Sequence, residues 1–211
     1  ESYRTGSIKL YEDPTNGSTL LGEIEVIQIA QTDDDKKAMV IEVSANPAND
    51  YTVTLPLSQK YNSGINPKVN CVVDWGDGTK DYVTKGLPTH TYQLDNAQNF
   101  DVKISGTMES LCANELNGAQ KQAIIAVKQW GQTGLKSMSY AFEGCISLKS
   151  VAADNTMAFI GVKDFNHCFN GCSALTSEGL SSEVFIHAVE ATNFSSAFRG
   201  CSSLTAIVSE M

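Results

Sequence analysis

One motif constrains the fold of this chain more than any other feature of its sequence. The pattern Phe-x-Gly-Cys-x-x-Leu occurs three times between residues 142 and 204. Its phenylalanines are Phe142, Phe169 and Phe198, so successive copies begin 27 and 29 residues apart. Self-similarity at such a period indicates a repeat architecture, in which each unit buries its apolar face against its neighbours. We therefore expect three stacked units in the C-terminal part of the chain.

Each unit has the sequence signals of one short helix. Ser137, Asp164 and Asn193 precede the three copies, and such side chains accept hydrogen bonds from the N–H groups of a first helical turn. Seven residues later each copy has a glycine, the residue that commonly ends a helix in a left-handed conformation. These glycines are Gly144, Gly171 and Gly200. The apolar residues between cap and glycine form one helical stripe, which predicts a helix of about six residues per unit.

A short extended segment is expected after each predicted helix. Leu148–Val151 and Leu204–Ile207 share the pattern Leu-x-x-Val/Ile, and the second unit has a two-residue insertion in Leu175–Leu180. Upstream, the apolar run Ile124–Val127 followed by Trp130 predicts a β-strand that opens the stack.

The three units resemble the BspA-like leucine-rich repeats of bacterial surface proteins, which have the same Phe-x-Gly-Cys-x-x-Leu core. The lead-in Val127–Gly131 is also similar to the segment that precedes such repeats. The resemblance implies that residues 111–211 form a short β/α solenoid of strands and helices. It further implies attachment at the cell surface or the binding of a protein or glycan, and not catalysis.

The first half of the chain has the period of β-strands. Apolar residues recur at every second position in segments 39–43, 51–57 and 100–104. Short alternating segments, separated by turn residues such as Asp77-Gly78, indicate an antiparallel sandwich.

Three segments of this half resemble the PKD domain, an Ig-like module of extracellular proteins. They are the turn Asp74–Thr79, the His-Thr-Tyr sequence at 90–92 and the strand Phe100–Ile104. The resemblance implies a β-sandwich within residues 1–110 that acts as a spacer and interaction module. The fold class expected for the whole chain is therefore mixed: an all-β Ig/PKD-like sandwich followed by a leucine-rich-repeat-like solenoid.

Residues 1–36 are less easily assigned. Ile8–Tyr11 and Leu20–Ile29 predict a hairpin around Asn16-Gly17, a sequence favoured in tight β-turns. The charged run at 33–37 then marks a turn or boundary. The hairpin either joins the sandwich, which is the favoured interpretation, or is the remnant of an upstream domain.

The charge of the chain excludes two classes of partner. Its net charge is −9, from 24 acidic and 15 basic residues. Nucleic acid binding needs clustered lysine and arginine, and an anionic membrane surface repels an acidic chain. The sequence begins at Glu1, which we interpret as the mature form of an exported protein, anchored to a membrane through a removed N-terminal signal.

The six cysteines admit more than one interpretation. Cys145, Cys172 and Cys201 hold the same position in the three units, where we expect their small apolar side chains to stack as a buried ladder. Cys168 is expected to fill the core as well. The alternatives for these thiols are a disulfide, a metal site or a nucleophile. A disulfide between Cys71 and Cys112 also stays open, because connectivity does not follow from sequence.

Only weak candidates for a metal site are found. Asp74 and Asp77 place two carboxylates in one turn, but a calcium site has six to eight oxygen ligands. Turn formation, in which aspartate side chains accept backbone N–H groups, is the favoured role of both.

The remaining notable side chains are interpreted as structural. Trp75 and Trp130 are expected in the core, and His90 is expected to hydrogen-bond within the sandwich. His167 precedes Cys168, but adjacent residues on a helix point about 100° apart and do not form a catalytic pair. The sequence therefore predicts no catalytic residue, no cofactor and no metal, and it does not identify the ligand-binding residues.

The function favoured by the sequence is that of a non-catalytic bacterial cell-surface protein, which binds an extracellular protein or glycan through its repeats. The alternatives are a carbohydrate-binding accessory of a secreted enzyme and a purely structural spacer of the envelope. No polar cap follows the third unit, so self-association through the end of the stack is also expected.

Overall fold

The chain divides into two compact units, Glu1–Lys36 and Lys37–Met211. The computed structural model describes residues 4–11, 20–28, 37–58 and 67–205, with side chains from residue 37 onward. In the first unit, β1 (Arg4–Tyr11) pairs antiparallel with β2 (Leu20–Gln28), which confirms the predicted hairpin strands. The predicted Asn16-Gly17 turn lies outside the described residues, as does the end of the third extended segment, 206–207.

The second unit is built on one six-stranded sheet. β9 pairs parallel with β10, and all the other neighbouring strands are antiparallel. In spatial order the strands are β10 (Ser150–Val151), β9 (Ile124–Gln129), β3 (Met39–Ala45), β8 (Gln98–Met108), β5 (Val69–Asp74) and β6 (Lys80–Val83). A separate two-stranded antiparallel sheet consists of β4 (Thr52–Thr54) and β7 (Thr89–Thr91).

Little helix is present among the described residues. The helix α1 (Gly118–Gln122) has five residues and begins with a capping box. In that box the Asn117 side chain accepts the N–H of Gln120, and the Gln120 side chain accepts the N–H of Asn117. Two three-residue 3-10 turns, Pro47–Asn49 and Ala113–Glu115, are also present.

The predicted fold class, an Ig/PKD-like sandwich followed by a β/α solenoid, is wrong. The chain is mostly β-sheet, with one six-stranded sheet, small two-stranded sheets and almost no helix. β9 and β10 lie in the segment predicted to be a solenoid, yet they extend the sheet that contains β3. Buried apolar side chains explain why β9 pairs with β3. Ile41 lies opposite Val127 and Val43 opposite Ile124, and all four are at most 1% exposed. The boundary expected near residue 110 therefore falls inside the second unit.

The predicted helices of the repeat units are turns in the structure. Their caps are present, since the side chains of Ser137, Asp164 and Asn193 each accept the N–H two residues ahead, at 3.1, 2.9 and 3.0 Å. The three glycines that end the turns are left-handed, with φ between 73° and 75°. A second left-handed residue, however, occurs three residues after each cap, where a right-handed helix cannot continue. These residues are Tyr140, His167 and Ser196, with φ of 59°, 54° and 56°.

Backbone hydrogen bonds in the repeat units run alternately within one unit and into the next. Four alternate N–H groups of the first unit donate to carbonyls of the second at 2.7–2.9 Å: Met138 to Asp164, Tyr140 to Asn166, Phe142 to Cys168 and Gly144 to Asn170. The second unit donates to the third over the same distances: Phe165 to Asn193, His167 to Ser195, Phe169 to Ala197 and Gly171 to Arg199. The units therefore stack through backbone N–H and C=O groups that, in a helix, would bond to each other within one unit.

One apolar core extends through the second unit, from Met39 to Cys201. Trp75 and Trp130 are both fully buried, which confirms their predicted place in the core. Leu111 and Leu116 are buried too, so the segment before α1 is close-packed, as expected. The rings of the three motif phenylalanines stack in a column, with centroids 5.7 Å apart for Phe142–Phe169 and 5.6 Å apart for Phe169–Phe198.

Candidate functional site

The two carboxylates singled out as weak metal candidates close the turn between β5 and β6. Asp74 accepts the N–H of Gly76 at 3.0 Å and pairs with Lys80 at 2.9 Å. Asp77 accepts the N–H and the hydroxyl of Thr79 at 2.9 and 2.6 Å, and its other oxygen lies 2.7 Å from Nε2 of His90. Every oxygen of the pair therefore has a protein partner.

The electrostatics of this turn follow from those contacts. Partial burial raises the pKa of Asp77, but the hydrogen bonds from Thr79 and His90 outweigh burial and lower the pKa to about 2. The pKa of Asp74 is also lowered, since its contacts with Lys80 and Gly76 outweigh its burial. Both carboxylates are thus charged and engaged within the turn. Among the described residues, no group of three or more His, Cys, Asp and Glu side chains is placed to hold a metal ion.

His90 sits within an aromatic cluster behind the turn. Its ring stacks on Trp75 at 5.0 Å and meets the edge of Tyr92 at 4.6 Å. The Tyr92 hydroxyl donates to the backbone carbonyl of Trp75 at 2.8 Å, and the indole N–H of Trp75 donates to Asp81 at 2.8 Å. The predicted internal hydrogen bond of His90 is confirmed, with Asp77 as its partner.

The cysteine ladder is present and buried. All six cysteines are free, so the Cys71–Cys112 disulfide is not formed. Cys172 donates its thiol hydrogen to the carbonyl of Phe142 at 3.2 Å, and Cys201 donates to that of Phe169 at 3.0 Å. These contacts reach back one unit and add to the stacking.

Burial also makes these thiols poor nucleophiles. It raises the pKa of Cys145 to about 12 and that of Cys71 to about 11, and it raises the pKa of Cys168 as well. Cys168 is 0% exposed, while its neighbour His167 is half-buried and stacks on Tyr140 at 4.9 Å. The two residues are not brought together as a catalytic pair.

A groove of about 410 Å³ opens where the end of β3 meets the repeat units. Five segments form it: the end of β3 with the following 3-10 turn, α1, β9, the loop before β10, and the second unit. The lining residues are Ser44, Asn46, Ala48, Asn49, Ala119, Gln122, Ile125, Ile146, Ser147, Lys149 and Ala174. Sequence reasoning identified none of them as ligand-binding residues, because the strand order that brings the repeat units beside the end of β3 has no local sequence signal.

One rim of the groove is held rigidly by its own amides. Asn46 accepts the N–H of Ala48 at 2.9 Å, and Asn49 accepts the N–H of Asn46 at 3.0 Å. The Asn49 amide also donates to the backbone carbonyl of Ser44 at 2.7 Å. These bonds fix the shape of the rim without any ligand.

The opposite side of the groove offers unused polar groups. The side chains of Gln122, Ser147 and Lys149 have no hydrogen-bond or ion-pair partner among the described residues. Ile125 and Ile146 supply apolar surface beside them, and Ile146 is 45% exposed. The groove thus combines an amide, a hydroxyl and a cation with aliphatic surface. Its described lining contains neither carboxylate nor imidazole nor thiol.

A second surface feature lies on the loops between the repeat units. Met157 and Ile160 are 59% and 55% exposed, and Ile186 and Val189, each 29 positions further on, are 55% and 79% exposed. The two loops are tied together, since the N–H of Asp154 donates to the carbonyl of Glu183 at 3.3 Å. The exposed apolar residues therefore occupy equivalent positions on neighbouring loops.

The comparisons and the search for membrane-spanning segments gave negative results. Among the described residues, no helix has the length and apolar character needed to cross a membrane. No protein-family model, curated protein or solved structure matches this chain. Its function is therefore to be inferred from its own geometry.

Proposed function

We propose that the protein is a non-catalytic, ligand-binding protein of the bacterial cell surface, and that its groove binds a segment of glycan. The observation that carries the proposal is the set of unpartnered polar side chains, Gln122, Ser147 and Lys149, beside Ile125 and Ile146 in a groove of about 410 Å³. Binding sites for small ligands are concave, of about 300–1,000 Å³, and combine apolar surface with a few placed polar groups.

The chemistry of the lining favours a polyhydroxylated ligand. An amide and a hydroxyl both donate and accept hydrogen bonds, and an ammonium group donates three, so together they satisfy the hydroxyls of a sugar. The isoleucine side chains offer aliphatic surface to the C–H groups of a sugar ring. Because the Asn46 rim is already fixed by internal bonds, binding does not have to order it.

A binding role is better supported than a catalytic one. Hydrolysis of a glycosidic bond ordinarily uses two carboxyl groups flanking the scissile bond. The described residues of the lining supply hydrogen-bond donors and acceptors but no carboxyl group. The groove is therefore suited to holding a glycan without cleaving it.

A binding role is also better supported than that of a structural spacer. A spacer has no need of exposed apolar residues, whereas Met157, Ile160, Ile186 and Val189 are all more than half exposed at equivalent loop positions. Exposed apolar patches mark sites of interaction.

The proposed location at the cell surface rests on the resemblance of the sequence motifs to those of extracellular modules. It is also compatible with the state of the thiols. Five of the six cysteines are buried, and burial raises the pKa of thiols such as Cys145, so they resist oxidation outside the cell.

The test is a calorimetric titration of the full chain with a panel of bacterial and host oligosaccharides. For a binding glycan, we expect Lys149→Ala and Gln122→Ala each to weaken the affinity about tenfold, as loss of a hydrogen bond in a binding site does. The matched control is Lys85→Ala, since Lys85 is an exposed lysine beyond β6, at the other edge of the sheet from β10. Absence of binding to any glycan, or equal affinity of the Lys149 and Lys85 variants, contradicts the proposal.

A further inference from the structure

The third repeat unit has a row of backbone N–H groups that no described residue accepts. They belong to Phe194, Ser196, Phe198 and Gly200. In the first and second units, the N–H groups at the same four positions donate to carbonyls of the following unit at 2.7–2.9 Å. The third unit therefore presents the same row of N–H donors that joins the other units, but no acceptor for it is found among the described residues.

The side chains of this edge are also less covered than their counterparts. Phe194 is 43% exposed, whereas Phe165, the equivalent residue one unit earlier, is 0% exposed. Phe165 is covered because Phe194 stacks on it at 4.9 Å, and Phe169 is covered because Phe198 stacks on it at 5.6 Å. Nothing among the described residues covers Phe194 in the same way.

We propose that this edge binds a segment of a protein partner, which adds to the stack as a further unit of turns. The N–H groups of the four edge residues donate to alternate backbone carbonyls of the segment. Two apolar or aromatic side chains of the segment, four residues apart, pack on Phe194 and Phe198. This is peptide recognition by addition to an open hydrogen-bonding edge, in which the main chain supplies affinity and the side chains supply specificity.

A second copy of this chain does not fit the edge in a symmetric arrangement. The carbonyls that face along the stack, those of Asn193, Ser195, Ala197 and Arg199, already accept from the second unit. The edge therefore offers donors alone, and two such edges would place N–H against N–H. A symmetric self-association through the end of the stack would bury those N–H groups without an acceptor, which is unfavourable.

The experiment is site-resolved amide hydrogen exchange of the full chain, measured by NMR with and without a synthetic peptide. The peptide spans residues 193–205 of this chain with Cys201→Ser, because a unit of this sequence is what the second unit binds. In the free protein we expect the amides of Phe194, Ser196, Phe198 and Gly200 to exchange at least about 100-fold faster than those of their counterparts in the second unit. The peptide at about 1 mM is expected to slow exchange at these four amides.

Matched variants distinguish peptide binding at this edge from nonspecific binding of the peptide to exposed apolar side chains. We expect Phe194→Ala to weaken peptide binding at least about fivefold and Tyr82→Ala, which removes an exposed aromatic side chain on β6 at the other edge of the sheet from β10, to leave it unchanged. Three results overturn the proposal. They are protection of the four amides in the free protein at low concentration, protection that appears only as the protein concentration rises, and no protection by the peptide.

Discussion

At the scale of single residues, one carboxylate connects the six-stranded sheet to the two-stranded sheet. Asp77 holds Thr79 within its own turn and reaches His90 on β7, while the ring of His90 stacks on Trp75. The turn, the two-stranded sheet and the core are thus connected through one charged group. Because hydrogen bonds lower its pKa, the contribution of Asp77 to stability depends on pH.

That dependence has a defined direction. The pKa of Asp77 is about 2 in the folded chain and about 3.9 in an unfolded one, so its stabilising effect is complete above pH ~4 and is lost as pH falls through about 2. We expect Asp77→Asn to lower the free energy of unfolding by about 1 kcal/mol at pH 6 and to change it less at pH 2. Urea unfolding at both pH values measures this. The control is Asp95→Asn, and equal pH dependence of the two variants would count against the role of Asp77.

The thiols give a second prediction at this scale. Cys112 is half-buried, whereas the other five cysteines are buried and burial raises the pKa of Cys145 to about 12. We expect an alkylating reagent at pH 8 to label Cys112 first in the folded protein, and the rest only after unfolding. Mass spectrometry of timed samples locates the label. Labelling of Cys145 or Cys172 as fast as Cys112 would show that the ladder is open to solvent.

At the scale of elements, the repeat unit is held by its contacts with other units. Phe169 stacks between Phe142 and Phe198, and its own N–H donates to the carbonyl of Ala197. Each unit is a set of turns that has no helix to stabilise it alone. We therefore expect side chains in the column to contribute far more to the free energy of unfolding than exposed side chains on the same units.

Truncation of the phenylalanine column tests this. We expect Phe169→Ala to lower the free energy of unfolding by about 3–5 kcal/mol, because it leaves a cavity in the column. The exposed Ile186→Ala is expected to change it by less than about 0.5 kcal/mol. Chemical denaturation gives both values. A loss below about 1 kcal/mol for Phe169→Ala would mean that the column does not stabilise the stack.

The glycines that end the turns give another prediction. Gly171 has φ of 75°, in the left-handed region, where a side chain costs about 1–2 kcal/mol. Gly118 begins α1, and a Cβ added there meets nothing within 4 Å. We therefore expect Gly171→Ala to destabilise the protein and Gly118→Ala to be neutral or stabilising, as shown by their melting temperatures. A lower melting temperature for Gly118→Ala than for Gly171→Ala would contradict the left-handed conformation of Gly171.

The repeat units also show which local features a sequence reveals. The caps at Ser137, Asp164 and Asn193 and the glycines that follow are where their residue types predict. The left-handed conformation of Tyr140 and Ser196 has no such signal, because tyrosine and serine side chains do not favour it. Stacking between units compensates for the strain of the left-handed backbone. This stacking depends on contacts between residues far apart in sequence, so a local pattern does not reveal it.

At the scale of the whole molecule, one core connects all parts of the second unit. The strands around Met39–Ala45 and Gln98–Met108 could be predicted from their alternation, and so could the buried cysteines and tryptophans. The order of the strands could not, because β9 pairs with β3 across about 80 intervening residues without a local signal. The groove could not be predicted for the same reason, since its lining comes from segments that only this strand order brings together.

The most direct test of this account uses the two tryptophans of the chain, one in each predicted half and both fully buried. Incorporation of 5-fluorotryptophan gives one fluorine NMR signal for Trp75 and one for Trp130, assigned with Trp75→Phe. If residues 37–211 share one core, both folded signals will disappear with the same midpoint in a urea titration. Loss of the Trp130 signal at a clearly different urea concentration from that of Trp75 would contradict the account, because it would show two independent domains and no common framework for the groove.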